Sequence, residues 1–147
     1  MRIALTVMLA LLVLPSELPA QKELLVFGGS SHDQFLGCLV CNEFKSESIC
    51  NGFGSYGNEF STKGMFNEFS GFGNRFGAAS PWNEFSTSTS VPVLVDRDGK
   101  FYGYFTINDS RRDAVDFAVS MKKMFEAANG DLEKVRKMLC KSLGYSG

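Results

Sequence analysis

The tripeptide Asn-x-Phe recurs six times in the middle of this 147-residue chain and constrains its fold more than any other feature. It begins at Asn42, Asn51, Asn58, Asn67, Asn74 and Asn83. The starts are 9, 7, 9, 7 and 9 residues apart, so two steps make a 16-residue unit. At this period the residue before the Asn is apolar, namely Cys50, Phe66 and Trp82. Such a repeat predicts a stack that shares one core, because a unit this small cannot bury a core of its own.

Each triad is predicted to be a short strand or the entry to a turn. Its Asn and Phe are two residues apart and would share one face of an extended segment, while Asn side chains close turns by bonding nearby backbone groups. We therefore expect the six Asn to hold turns and the six Phe to be buried. These Phe are Phe44, Phe53, Phe60, Phe69, Phe76 and Phe85. The segment would form a β-rich solenoid or a stack of small hairpins, with no helix.

The middle residue of four triads is glutamate. A residue between two inward neighbours points outward, so these glutamates are expected to form a solvated stripe. They are Glu43, Glu59, Glu68 and Glu84. A Ca²⁺ site between adjacent glutamates is the alternative, because carboxylate and amide oxygens are calcium ligands. Were the aromatic rows exposed instead, they could bind sugars or chain ends.

Two similar hairpins flank the repeat. Residues 24–27 and 34–39 are apolar runs around a turn rich in Gly and Ser, and residues 93–95 and 100–106 repeat this plan around an Asp-Gly turn. The Phe35-Leu36-Gly37 segment lies 66 residues before Phe101-Tyr102-Gly103, and Asn42 lies 66 residues before Asn108. Each hairpin is therefore predicted to end by leading into an Asn.

Helix-forming residues follow Asn108. Asp109 or Ser110 is the predicted N-cap of a first helix, Asn129-Gly130 closes it, and Asp131 caps a second. The apolar faces are Ala114, Val115, Ala118, Met121, Phe125 and Ala128, then Leu132, Val135, Leu139 and Leu143. The predicted class is α+β, with a single domain over residues 21–147. Its segments are a first hairpin (21–41), the repeats (42–90), a second hairpin (91–108) and a helical hairpin (109–147).

The first twenty residues have the plan of a signal peptide. Arg2 precedes an apolar run over residues 3–14, then a break at Pro15 and a small residue, Ala20, before Gln21. The run is shorter than the ~20 residues that cross a bilayer. We predict a secreted or periplasmic protein with no membrane span after cleavage. Lys+Arg number 15 against 16 Asp+Glu, a balance that gives no electrostatic footprint for nucleic acid.

Four cysteines, Cys38, Cys41, Cys50 and Cys140, can form two disulfide bonds in an oxidising compartment. Because Cys50 occupies an inward position close in sequence to the other two, we predict a bridge from Cys50 to Cys38 or Cys41. The Cys38-x-x-Cys41 spacing also occurs in redox motifs, although those begin a helix. Zinc binding by Cys38, Cys41, Cys50 and His32, the single histidine, is a further alternative.

The pattern resembles a group of exported bacterial proteins of unknown function. Their chains carry a Phe-Leu-Gly or Tyr-Leu-Gly hairpin followed by tandem Asn-x-aromatic-Gly-x-Tyr-Gly-Ser-x-Tyr units. The matching segments here are Phe35-Leu36-Gly37, residues 51–60, residues 67–76 and Phe101-Tyr102-Gly103. This chain differs in having Asn58 and Asn74 where Ser is common, and in its C-terminal helices. The resemblance implies an accessory module and brings no catalytic residue.

From these features we expect a small exported, non-catalytic repeat module. It would bind or scaffold a protein or glycan of the cell envelope, without a cofactor or a resident metal. The alternative is a small envelope enzyme with redox, metal-binding or hydrolytic chemistry that uses Cys38 and Cys41 or His32.

Overall fold

The computed structural model describes residues 21–146, and the predicted signal peptide, residues 1–20, lies outside them. The described chain forms four strands and two helices: β1 (Leu24–Gly28), β2 (Gln34–Val40), β3 (Val93–Asp96), β4 (Phe101–Tyr104), α1 (Ala118–Ala127) and α2 (Leu132–Ser142). A long segment without strands or helices, residues 42–90, separates β2 from β3. The predicted α+β class is confirmed.

The two predicted hairpins lie side by side in one antiparallel sheet. Its strand order is β2-β1-β3-β4, so the first strand of each hairpin is central and pairs with the other. Leu25 faces Val95 and Val26 faces Leu94 across this junction. The sheet therefore brings together two segments that are far apart in sequence.

The structure repeats itself at the 66-residue offset. The N–H of Cys38 donates to the carbonyl of Glu47, and the N–H of Tyr104 donates to that of Asp113, 66 residues later. Gly37 and Gly103 have φ values of 120° and 126°, a region that side chains disfavour. A Cβ on either glycine would overlap the segment that crosses the strand there. The duplication predicted from the sequence thus extends beyond the hairpins into the turns that follow them.

Residues 42–90 form a coil of consecutive turns, where the sequence predicts strands. Between Asn67 and Asn83, the N–H groups of Ser70, Asn74, Gly77, Ser80 and Asn83 each donate to the carbonyl of the preceding residue in this series. The steps are therefore 3, 4, 3, 3 and 3 residues, and they return the pattern after 16. The first two steps make the spacing of 7 and the last three make the spacing of 9. Turns of unequal size, and not strand pairing, explain the alternating spacing.

The interior of the coil is built by the residues that precede the Asn of alternate triads. Cys50, Phe66 and Trp82 are buried, as predicted. The ring of Trp82 lies 5.5 Å from that of Phe66, one unit earlier, and stacks on Phe125 of α1 at 6.2 Å. On the sheet side, Tyr56 packs edge to face on Phe35 at 4.9 Å. One hydrophobic core thus includes residues of the sheet, the coil and both helices.

The helical hairpin is present, but its first helix starts later than predicted. Asp109 and Ser110 do not cap α1, whose N-cap is Phe117. The second helix is capped by Asp131, whose side chain accepts the N–H of Lys134 at 3.1 Å, and Asn129 and Gly130 have positive φ as expected.

A disulfide and a buried arginine tie α2 to the coil. Cys50 is bonded to Cys140, with Cα atoms 5.7 Å apart, so the predicted bridge from Cys50 to Cys38 or Cys41 is wrong. Arg136 is 2% exposed, donates to the carbonyl of Cys50 at 2.9 Å, and makes two bonds of 2.7 and 2.8 Å to Glu133. Since the units of the coil stack inward, Cys50 faces the helices and not the sheet edge that holds Cys38.

Candidate functional site: an array of exposed phenylalanines

Every Asn-x-Phe triad adopts the same turn. The side-chain oxygen of each Asn accepts the backbone N–H of the Phe two residues later, at 2.8 to 3.0 Å in all six cases. Three of the Asn also donate from the side-chain nitrogen to a carbonyl six residues earlier: Asn51 to Lys45, Asn67 to Ser61 and Asn83 to Gly77. The predicted role of the Asn residues in holding turns is confirmed by these bonds.

The six Phe side chains point into solvent, and the prediction that they are buried is wrong. Their exposed fractions are 79% for Phe44, 100% for Phe53, 81% for Phe60, 90% for Phe69, 83% for Phe76 and 81% for Phe85. The rule that residues two apart share a face holds for extended chain. Here the residue after the Asn begins a reversal, which places the Phe at the outer tip of the turn. We call these six residues the Phe array.

Four members of the Phe array line one continuous groove. Phe53 and Phe60 flank a cavity of about 400 Å³, Phe60 and Phe69 one of about 440 Å³, and Phe69 and Phe76 one of about 210 Å³. Adjoining cavities share lining residues, so they form a single depression. The opposite wall is the start of α2, where Leu132 adds an apolar side chain. We call this depression the Phe groove.

The middle of the Phe groove is acidic. Glu59 and Glu68 line it, and within residues 21–146 neither makes an ion pair or a hydrogen bond. Glu133, on the other wall, is instead neutralised by Arg136 at 2.7 Å and Lys137 at 3.4 Å, and its pKa is lowered by Arg136 against the opposing effect of burial.

Positive charge is confined to the two ends of the groove. Lys137 lies at one end, while Arg75 lies at the other with its guanidinium 5.5 Å from the ring of Phe76 and 5.2 Å from that of Phe125.

The other middle glutamates have local partners. Glu84 lies 3.7 Å from Lys122, and Glu43 accepts both the N–H and the hydroxyl of Ser146 at 2.8 and 2.7 Å. Within the described part of the chain, no group of three or more His, Cys, Asp or Glu side chains is placed to hold a metal ion. The arrangement therefore offers nothing to support the Ca²⁺ alternative at these glutamates.

Cys38 and Cys41 are paired with each other at the end of β2, with Cα atoms 6.1 Å apart. Both are buried, and Cys41 lies at a surface cleft of about 420 Å³ that Phe44 and Tyr145 also line. Redox-active thiols of this spacing are usually exposed at a helix N-terminus, which lowers their pKa. This pair instead follows a strand, and a structural role fits its position better.

His32 lies in the turn of the first hairpin and not beside the cysteines. Its Nε2 atom is 3.1 Å from the carbonyl of Val91, and its ring packs edge to face on Tyr104 at 5.8 Å. It therefore joins the tip of the first hairpin to the segment that enters β3. The four residues of the zinc alternative are not brought together, because Cys50 pairs with Cys140 and the other two cysteines with each other.

The sequence contained a signal for the orientation of the Phe residues. Cys50, Phe66 and Trp82 already supply one apolar residue per 16-residue unit for the interior, and Ile49 and Met65 beside them are buried as well. With the interior filled by these positions, the six Phe had to lie elsewhere.

Comparison with family models, curated proteins and solved structures finds no match to this chain. A search of residues 21–146 for a helix of the length and apolarity needed to cross a bilayer finds none. The inference of function therefore rests on the geometry of the Phe array.

Proposed function

We propose that this protein is a small exported, non-catalytic binding module of the cell envelope, and that the Phe array is its binding surface. The observation that carries the proposal is that six identical Asn-held turns each present a Phe ring to solvent. Monomeric soluble proteins rarely expose large contiguous apolar patches, and such patches mark interaction sites. A rigid turn under each ring lowers the entropy lost when a partner packs on it.

The polar surroundings of the array favour a protein partner over a glycan. A sugar needs hydrogen-bonding groups beside the aromatic face. The side-chain oxygens of all six Asn already accept a backbone N–H, and the nitrogens of Asn51, Asn67 and Asn83 already donate. The array thus presents rings and carboxylates, which suit apolar and cationic side chains of another polypeptide.

Two cysteine pairs are compatible with an oxidising compartment, which is where export would place the protein. Export itself is tested by N-terminal mass spectrometry of the secreted or periplasmic material. We expect the chain to begin at Gln21, and recovery of Met1 from the cytoplasm alone would refute this part of the proposal.

The binding role is tested with a variant in which all six Phe of the array are replaced by Ser. Immobilised wild type and variant are incubated with detergent-solubilised envelope proteins and, separately, with purified cell-wall glycan. We expect the wild type to retain a protein that the variant does not retain, while both melt at similar temperatures because exposed rings contribute little to stability.

Phe101→Ser is the matched control, since Phe101 is half exposed on β4 and lies outside the array. It should bind like the wild type. Equal retention by the wild type and the six-fold variant would overturn the proposed function, and retention of glycan in place of protein would overturn the choice of partner.

A further inference from the structure

A second copy of this chain is a poor occupant for the Phe groove. In a two-fold dimer, residues near the axis face their own equivalents in the partner. Glu59 and Glu68 occupy the middle of the groove, so such a dimer would oppose unpaired carboxylates to one another. Like charges brought together at an interface are unfavourable, and they select against the wrong partner.

We propose that the Phe groove binds a cationic, apolar peptide segment of a partner protein. Its apolar side chains would pack on the rings of Phe53, Phe60, Phe69 and Phe76, and its Lys or Arg side chains would lie beside Glu59 and Glu68. This inference rests on the proposed function and adds the chemistry of the partner. It is carried by the continuity of the three cavities and by the charge in the middle of the groove.

The charge pattern along the groove supports this occupant. Glu133 and Asp131 on the helix wall are already paired, with Arg136 and Lys137 and with Lys134 respectively. Glu59 and Glu68 have no such partner among residues 21–146, and they alternate with the rings of Phe60 and Phe69 along the same wall. A segment in which cationic and apolar side chains alternate therefore matches the wall residue by residue.

The ends of the groove restrict the length of the segment. Arg75 at one end and Lys137 at the other place positive charge where a longer cationic segment would extend. We infer that the positive charge of the partner is concentrated at the centre of the bound segment.

The test uses three labelled peptides of equal length and fluorescence anisotropy. One alternates Leu and Lys, one alternates Leu and Glu, and one alternates Ser and Lys. We expect the wild-type protein to bind the Leu-Lys peptide and to bind the other two at least about 10-fold more weakly, because aromatic anchors and electrostatic complementarity are both needed. Binding should weaken between about 50 mM and about 300 mM salt, since screening acts on exposed charges.

Two double variants separate the contributions. Phe60→Ala with Phe69→Ala should weaken binding of the Leu-Lys peptide about 10-fold or more. Glu59→Gln with Glu68→Gln should weaken it at low salt and remove most of its salt dependence. Phe85→Ala is the control, because Phe85 belongs to the array without lining the groove, and it should bind like the wild type. Circular dichroism and melting curves confirm that each variant is folded.

Several outcomes would overturn the inference. They are equal binding of the Leu-Glu peptide, unchanged affinity in the Phe60/Phe69 variant, and wild-type salt dependence in the Glu59/Glu68 variant. A concentration-dependent dimer in sedimentation that the Phe60/Phe69 variant loses would make a second copy the occupant. Binding to vesicles of anionic lipid that the same variant loses would make it a membrane.

Failure here is distinguishable from failure of the proposed function. If the six-fold Ser variant loses its envelope protein while the peptides do not bind, the array binds a partner of other chemistry. If the six-fold variant keeps that protein, the array is not the binding surface at all.

Discussion

Phe66 and Phe69 are three residues apart and have opposite environments. Phe66 is buried against Trp82, whereas Phe69 stands at the tip of an Asn-held turn. Truncation of a buried Phe costs about 3 to 5 kcal/mol through lost burial and the cavity left behind. We expect Phe66→Ala to lower the free energy of unfolding by about that amount, and Phe69→Ala to change it by less than about 0.5 kcal/mol. Urea unfolding of the two variants checks this, and an equal loss in both would mean that Phe69 is buried in solution.

The two classes of Asn differ in how many bonds they make. Asn67 is 6% exposed and bonds both the N–H of Phe69 at 3.0 Å and the carbonyl of Ser61 at 3.2 Å. Asn58 is half-buried, and its side-chain oxygen bonds the N–H of Phe60 at 2.8 Å.

The variants Asn67→Ala and Asn58→Ala should therefore differ in stability. Removing Asn67 leaves buried backbone groups without partners and should cost about 1 to 3 kcal/mol, whereas removing Asn58 should cost about 0.5 to 1.5 kcal/mol. Thermal and urea unfolding give the comparison. A smaller loss for Asn67 than for Asn58 would contradict the importance of the second bond.

At this scale the sequence predicted the turns and missed the faces. The side-chain chemistry of Asn is local, so its bond to the backbone two residues later follows from the residue type. The direction of the neighbouring Phe depends on whether the chain is extended or turning, which no single triad reveals. The spacing of 9 and 7 records turns of three and four residues, and that meaning emerges only from the backbone bonds.

Among the elements, the turn between β3 and β4 is organised by one carboxylate. Asp96 has a buried side chain that accepts the N–H groups of Asp98 and Lys100 at 2.9 and 3.0 Å and the hydroxyl of Tyr102 at 3.2 Å. Lys22 lies 2.7 Å from it. The hydrogen bond from Lys22 is the largest cause that lowers the pKa of Asp96 from 3.8 to about 2.

This shift predicts a dependence of stability on pH. Because the folded pKa lies below the unfolded one, the carboxylate stabilises the fold above the unfolded pKa, near pH 4, and this stabilisation is lost as the pH falls towards 2. Asp96→Asn should therefore flatten the dependence of the urea midpoint on pH between about 4 and 2, and Lys22→Gln should flatten it in part. Identical slopes in both variants and the wild type would show that Asp96 titrates normally in the folded protein.

The late start of α1 also has a local cause. Residues after Asn108 repeat the turns that follow Asn42, since the N–H of Arg111 donates to the carbonyl of Asn108 just as that of Lys45 donates to Asn42. Asp109 and Ser110 therefore lie in a turn that the duplication imposes, although their types suit a helix cap. The 66-residue offset was visible in the sequence, but its extension past the Asn was masked by the helix-forming composition.

At the scale of the whole molecule, the helical hairpin closes the coil. Trp82 stacks on α1, and Cys140 and Arg136 hold α2 to the residues around Cys50. The same helix provides one wall of the Phe groove. Sequence proximity pointed Cys50 towards Cys38 and Cys41, but the fold brings Cys140 to it from 90 residues away. Long-range pairing of this kind depends on packing that local patterns do not contain.

The two disulfides should accordingly differ in their contribution to stability. Residues 38 and 41 are 3 apart and residues 50 and 140 are 90 apart, and the entropy that a cross-link removes from the unfolded chain grows with the loop it closes. Replacing Cys50 and Cys140 by Ser should cost about 4 to 5 kcal/mol, and replacing Cys38 and Cys41 by Ser about 2 kcal/mol. Urea unfolding of the two double variants measures both losses. Because α2 forms a wall of the Phe groove, the first variant should also lose peptide binding under conditions in which the second retains it. A larger loss of stability for the Cys38 and Cys41 variant would show that the link between coil and helix does not determine how tightly the molecule closes.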